Sequence, residues 1–373
     1  MYKLKIFITF ILATLIIPFV VQAQEPQQTQ TFEAQVIEIL DEYKLVREDG
    51  STNLQQNLKL KGLNGEWQNQ EIKFFGISEF DVISSNTYKI GDKVMVAYNK
   101  DVEGANVFYV TDYVRSTSLY WLGIIFAIIV IIVGRMKGLR SLISLLASFA
   151  IIIYFILPGI LAGYSPLIIG VIGSFFILIV LIYITEGFNI KSHLAIITIF
   201  ISLIIVSILS LIFTYIVHLN GLAQEEILFL VDAGKGTINF SGLLLAGILI
   251  GTLGAMDDVV ISQIESVAQL KIANPKLKSK NLFKMAFEIG RTHMGAMINT
   301  LFLAYAGAAL PLLLLFSLKQ EPFLTLSQIM NNEMIAVEIV RAIVGSIGIV
   351  LAIPIATFLA VYMIDVKTKN HSS

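Results

Sequence analysis

Apolar residues follow two rhythms along this chain, and the change falls near residue 117. Before it, short apolar runs alternate with polar residues and are punctuated by Gly, Asn and Asp. After it, apolar residues continue for several helical turns at a time. The first rhythm predicts strands. Phe32, Ala34, Val36, Ile37 and Ile39 alternate in part. Leu58 and Leu60, then Ile72 and Phe74, mark two strands around a turn at Gly62–Gly65. Gly91-Asp92 turns the chain into another strand, and 106–114 supplies one more. The punctuation predicts a small β-domain over 31–117, either an OB-like barrel or a sandwich.

The second rhythm predicts an α-helical polytopic membrane protein with about seven transmembrane helices. The spans read as 119–134, 139–157, 165–185, 193–218, 238–256, 293–318 and 336–364. Each approaches or exceeds the roughly 20 residues that cross about 30 Å of hydrocarbon. Tyr120 and Trp121 suit a headgroup boundary at the start of the first.

The beginning of the chain predicts which side the β-domain occupies. Lys3 and Lys5 precede an apolar run from Ile6 to Val21, and Val21-Gln22-Ala23 offers small residues for a cut. That order is a signal peptide over 1–23, with an uncleaved anchor helix as the alternative. Either one sends the 24–30 tether and the β-domain out of the cytoplasm. Loop charge agrees. The segments then facing inward carry Arg135, Lys137, Arg140, Lys191, Lys271, Lys276, Lys278, Lys280, Lys284, Arg291, Lys367 and Lys369. The short outer loops carry only Lys235 and Lys319. This positive-inside bias predicts a bacterial plasma-membrane protein with an extracytoplasmic N-terminal domain. It also places the C-terminal tail, 367–373, in the cytoplasm.

Composition supports the bilayer. Of 373 residues, 56% are hydrophobic and 14% charged, and mean hydropathy is +0.80. A soluble domain carries about 25% charged residues. A net charge of −1 points to no nucleic-acid partner. The absence of cysteine excludes disulfides, thiolate metal sites and cysteine nucleophiles. The four histidines lie far apart, and no HExxH, Walker loop or GxGxxG is present. No metal, cofactor or catalytic residue is therefore expected. A serine-protease reading finds nothing to recommend Ser346 or His293. An aspartic one fails because Asp257 and Asp258 are adjacent.

Between spans five and six, 257–292 predicts a cytoplasmic helical hairpin broken at Asn274-Pro275, with Ser279 available as a cap. Candidate chemistry lies at its base. Gly247, Gly251, Gly254 and Asp258 share one helical face, and Glu265 continues it. Glu288, Arg291, Gly295, Asn299, Phe302 and Ala306 share a face on span six. Glycine faces admit a close neighbour. The two faces are therefore expected to pack, with Asp257 or Asp258 near Arg291 and Asn299 deeper. Such a polar cluster marks a solute or proton path, or alternatively the lipid boundary of the helices. Glu338 and Arg341 are three apart on span seven, as a buried pair or as interface residues. Gly345, Ser346, Gly348 and Pro354 predict a closely packed, kinked helix.

Several stretches in order resemble the YibE/F-like family of bacterial multipass membrane proteins. They are Gly251-Thr-Leu-Gly-Ala-Met-Asp-Asp-Val259, Ile289-Gly-Arg-Thr-His-Met-Gly295, and Asn299-Thr-Leu-Phe-Leu-Ala-Tyr-Ala-Gly307 with Leu310-Pro311. Glu338-Ile-Val-Arg341 and Gly345-Ser-Ile-Gly348 fit the same pattern. The resemblance covers roughly 115–365, and Tyr88-Lys-Ile-Gly-Asp-Lys-Val94 looks like that family's N-terminal region. It implies the multipass topology and no activity. One departure is Thr292, where the pattern leads one to expect an acidic residue. The expected function is that of a transporter or permease for a small solute or ion. The alternative is a non-transporting envelope or signalling protein whose β-domain binds a partner or a cell-wall component. Expected partners are the lipid bilayer and a second membrane protein or copy of this chain.

Overall fold

The computed structural model describes residues 30–46, 52–77, 86–100, 106–223, 238–319 and 324–364, and Gly104, Ile227 and Leu230 besides. The expected signal segment, the tether before Gln30 and the expected tail lie outside these residues. The described chain forms two compact units, one ending at Ile129 and the other starting at Val130.

The first unit contains one antiparallel sheet. Its strands are β1 (Gln30–Val46), β2 (Thr52–Gly62), β3 (Glu71–Phe75), β4 (Lys93–Lys100) and β5 (Asn106–Tyr113), in the order β3-β2-β1-β4-β5. β1 serves two partners. Residues 30–35 pair with β4 and residues 34–46 with β2, with irregularities after Val36 and Ile39. Such bulges bend a strand, and here β3 and β5 also come into contact. The sheet curls on itself as in an OB-type barrel, which selects the first of the two expected architectures. Alternation works as read: Phe32, Ala34 and Val36 are buried with Leu58, Leu60, Ile72, Val94 and Val96. Gly91 takes φ +99° in the expected turn. Its amide donates to the Val36 carbonyl at 2.8 Å, and the Val36 amide donates to Asp92 at 2.9 Å.

From Ser116 onward the chain is helical. The helices are α1 (Ser116–Ile151), α2 (Leu157–Leu161), α3 (Pro166–Thr185), α4 (Ile190–Ile216) and α5 (Phe240–Ala273). They continue with α6 (Ser279–Ala308), α7 (Leu310–Ser317), α8 (Leu326–Met330) and α9 (Glu333–Met363). Asparagine side chains cap three of the long ones. Asn189, Asn239 and Asn332 accept from the amides of Ser192, Gly242 and Met334, satisfying donors that a helix start leaves free. Among the described residues, five helices are long and apolar enough to cross a membrane, or six if α6 and α7 form one bent span.

The expected seven spans differ from this tally at the first helix. α1, a π-helical turn (Ile152–Ile156) and α2 run on without a loop through both of the first two expected spans. The run is broken inside α1. Arg135 leaves helical geometry at φ 49°, ψ −130°, and Gly138 then lies so close to Val130 that a Cβ would sit 2.2 Å from its carbonyl oxygen. In a straight helix, residues eight apart are about 12 Å from each other, so the chain bends sharply here.

The stretch expected as a hairpin is two helical arms with the break at Asn274-Pro275, and its first arm is continuous with the fifth span. α5 passes through residue 257 without interruption and stops at Ala273, because no breaker precedes Asn274-Pro275. The second arm is the first half of α6. Lys278, not Ser279, precedes it, and no side chain caps it. α6 ends where Ala309 and Pro311 interrupt it, and α7 leaves at 69°. Pro311 has no amide to continue the ladder.

The Arg135 bend gives a sharp test. Gly138→Ala sets a methyl group against a backbone carbonyl, an overpacking that costs about 1–3 kcal/mol. Thermal unfolding in detergent should show a clear drop for Gly138→Ala and none for Gly134→Ala, where nothing lies within 4 Å.

Candidate functional site: three helices with a cavity at each end

The α5 aspartates sit in mid-helix. Met256, one residue before Asp257, is fully buried and faces Gly348 on α9. Asp257 is half-buried and Asp258 exposed. The glycine face leading to them is not a packing seam within this chain. A Cβ at Gly247, Gly254 or Gly295 would meet nothing within 4 Å, and at Gly251 only the Tyr305 hydroxyl, at 3.0 Å.

α5 and α6 meet elsewhere. Gln263, buried on α5, donates to the Ala286 carbonyl on α6 at 2.9 Å and to the Thr357 hydroxyl on α9 at 2.7 Å. The Thr357 hydroxyl in turn donates to the Ile353 carbonyl at 2.7 Å. Gly290 makes room, since a Cβ there would lie 2.6 Å from Ile353 Cγ2 and 2.7 Å from Gln263 Oε1. The charges are thereby kept apart. Arg291 pairs with Glu288 on its own helix at 3.2 Å, both more than half exposed, and such a pair contributes little. Among the described residues no ion pair joins Arg291 to Asp257 or Asp258. Asn299 is exposed on α6.

Glu338 and Arg341 form a largely buried pair at 3.0 Å, each side chain 21% exposed. The Arg341 guanidinium lies 5.7 Å from the centre of the Tyr305 ring, so α9, α6 and α5 meet in one charged and aromatic contact. Tyr305 was not singled out from the sequence. Its spacing from Leu301 on the buried face of α6 was the available signal.

Two cavities lie against another set of helices, α3, α4 and α5, one toward each end of their mutual contact. The first, of ≈360 Å³, is lined by Ile182, Glu186, Asn189, Lys191, Ile261 and Glu265. Lys191 of α4 reaches Glu265 of α5 across it at 2.6 Å, and Gln269 donates to the other carboxylate oxygen at 2.6 Å. The second, of ≈480 Å³, is lined by Leu167, Thr214, His218, Asn239, Ser241 and Leu245, among others. At that end Glu333 of α9 accepts the amides of Asn220 and Gly221, at 2.7 and 2.9 Å. None of Asp257, Asp258, Glu288, Arg291, Asn299, Glu338 and Arg341 lines either cavity. Glu265, placed by the sequence on the aspartates' face, does line the first.

The family model of the YibE/F-like proteins matches residues 122–366. The chain belongs to the YibE/F-like family. No curated protein and no solved structure matches it. Its apolar helices are compatible with a membrane location. Among the described residues of this YibE/F-like protein, no three His, Asp or Glu side chains are grouped to hold a metal ion.

Because Arg291 is paired locally, exchanging charge with the aspartate should bring no rescue. In a cycle of Asp258→Arg, Arg291→Asp and the double variant, thermal unfolding should give a coupling below about 0.5 kcal/mol. A double variant more stable than both single variants contradicts the arrangement.

Proposed function

We propose that this YibE/F-like protein is a permease-like carrier of a small solute or ion, and not an enzyme. In this reading it sits in the bacterial plasma membrane with the β-domain outside and the C-terminus in the cytoplasm. The observation that carries the proposal is the pair of cavities at opposite ends of the α3–α4–α5 contact. A carrier that opens alternately needs vestibules on both sides of a closed waist, at the meeting of helices that cross the bilayer. Both vestibules have polar mouths, with Glu186, Lys191 and Glu265 at one and His218, Asn239 and Ser241 at the other. Basic loop residues orient the first mouth inward. No nucleotide-binding motif occurs in the sequence, so an ion gradient or a partner protein supplies any driving force. The outward polar face of α5 and α6, with Asp258, Arg291 and Asn299, is unfavourable against lipid. It favours a protein neighbour there, a second copy or another membrane protein.

The test is flux in proteoliposomes, made selective by chemistry. The chain has no cysteine, so Thr214→Cys places a single thiol on the wall of the larger vestibule. Wild type and Thr214→Cys should carry a small solute above the rate of empty liposomes. A bulky maleimide should return only the variant to that background. Asp258→Asn should stay within about twofold of wild type, because its side chain faces away from the route. Absence of flux for every solute tried, or full flux through maleimide-labelled Thr214→Cys, contradicts the proposal.

A second reading has its own observation. The β-domain carries a cleft of ≈580 Å³ lined by Trp67 and Tyr98 and by the amides of Gln30, Gln70, Asn99 and Asn106. Trp67, Tyr98, Phe32 and Phe108 form one aromatic cluster that the sequence did not make evident. Aromatic walls with a few oriented polar groups suit a binding site. This supports a non-transporting envelope protein whose exported domain takes a partner or a cell-wall component. With two tryptophans in the chain, Trp121→Phe leaves Trp67 as the sole indole reporter. A change in its fluorescence on adding soluble cell-wall glycan supports this reading, and an unchanged spectrum at saturating glycan removes it.

A further inference from the structure

Serine and threonine in an apolar helix usually return their hydroxyl proton to the carbonyl one turn back. Ser202, Ser207, Thr252 and Thr357 do so, to Thr198, Leu203, Ile248 and Ile353 at 2.7–3.0 Å. Ser174 on α3 and Thr198, Ser210 and Thr214 on α4 do not. Their oxygens are buried without a hydrogen-bond partner, in residues 1%, 0%, 0% and 7% exposed. A buried hydroxyl without a partner is unfavourable and marks a place where water or a ligand belongs.

Ser174, Ser210 and Thr214 lie toward the larger cavity. Thr214 lines it, and Ser210 is one turn further in. Ser174 and Ser207 then border a largely apolar void of ≈10 Å³ with Leu203 and Leu249, about the size of one water. Val171, Ser207 and Leu249 of this void are each one turn from Leu167, Leu211 and Leu245 of the larger vestibule. The void is therefore its inward continuation on all three helices. Thr198, nine residues from Ser207 and so on the opposite face of α4, stands apart from this line. Charged side chains occur at the smaller mouth and not among the residues around the void.

We infer that this hydroxyl seam is the closed waist of the route, and that its cargo is a small neutral hydrogen-bonding solute of the urea or short-polyol kind. The inference rests on the transport reading. A hydroxyl both donates and accepts, so successive residues can exchange bonds with a neutral solute as it advances. An ion would shed water against a wall without counter-charge, which is unfavourable inside a bilayer. Passage requires α3 to separate from α4 and α5, since the void is smaller than any such solute.

The experiment uses full-length single-cysteine proteins: Ser174→Cys, Ser210→Cys, Thr214→Cys and the outward-facing control Ile208→Cys. A membrane-impermeant methanethiosulfonate supplies the accessibility readout. Light scattering follows urea and glycerol uptake, and ion-sensitive dyes follow sodium, potassium and protons. Cysteines in a wet seam should react at least about tenfold faster than Ile208→Cys, whose apolar surroundings suppress the thiolate. Urea or glycerol, and no ion, should move. Ser207→Cys replaces Ser174→Cys if the latter does not fold. Unreactive seam cysteines in a protein that still carries solute overturn the seam alone. Ion flux without urea or glycerol flux overturns the neutral cargo. A reactive seam with no flux of any kind overturns the transport reading, and the cargo assignment with it.

Discussion

The helical unit depends on a contact packed tightly against glycine. A Cβ at Gly348 would lie 2.4 Å from Met256 Cε and 2.4 Å from Val206 Cγ2, so α9 lies directly on α5 and α4 at this point. Gly345 repeats the approach toward Thr252 and Leu301. Without a hydrophobic drive between helices in lipid, close backbone approach and buried hydrogen bonds hold a bundle together. The Gln263–Ala286–Thr357 node supplies the hydrogen bonds about two turns further along. At the ends of the helices, Lys271 donates to the terminal Ile364 carbonyl of α9 at 2.5 Å.

This clamp determines what the rest of α5 presents. One face is taken by α9, and at Gln263 by α6 as well, so the aspartates and the Gly247–Gly254 stripe point away. α3 leans on α5 through Gly170, where a Cβ would lie 2.7 Å from that of Ala246. Below and above that crossing the three helices α3, α4 and α5 leave the two vestibules open. The α9 side of α5 is packed along its length, while the α3–α4 side is flanked by a cavity toward each end. The Lys191–Glu265 pair spans the α3–α4 side at its smaller mouth. It is part-exposed, so its contribution to stability is modest, and separating it is correspondingly cheap.

Much of this was legible in the chain. Alternation located Phe32, Ala34, Val36, Leu58 and Leu60, because a strand with one buried face has a strict period. Gly91-Asp92 and Asn274-Pro275 announced their turns through backbone chemistry. Gly345 and Gly348 were correctly taken as close-packing residues. The errors share a cause: they concerned which face of a helix meets which neighbour. Gly247, Gly251 and Gly254 form as good a stripe as Gly345 and Gly348, and periodicity does not say which stripe is occupied. Polar content after residue 256 suggested an end to the span, yet a helix ends at a breaker, and none occurs before Asn274. The vestibules were invisible because cavities arise from what three distant segments fail to fill. The unpartnered hydroxyls were invisible too, because Ser202, which donates to Thr198, and Ser210, which has no partner, read alike in the chain.

On the proposed route solute passes between α3, α4 and α5, and the smaller mouth is where that route can be closed. Lys191→Cys with Glu265→Cys places one thiol on each side of that mouth, on α4 and α5, where the native side chains meet at 2.6 Å. A short reducible bifunctional reagent then ties the two helices together after folding. Proteoliposome flux should fall to the level of empty liposomes on cross-linking and return when the bridge is reduced. Flux that persists through a fully cross-linked mouth would show that the route lies elsewhere in the bundle.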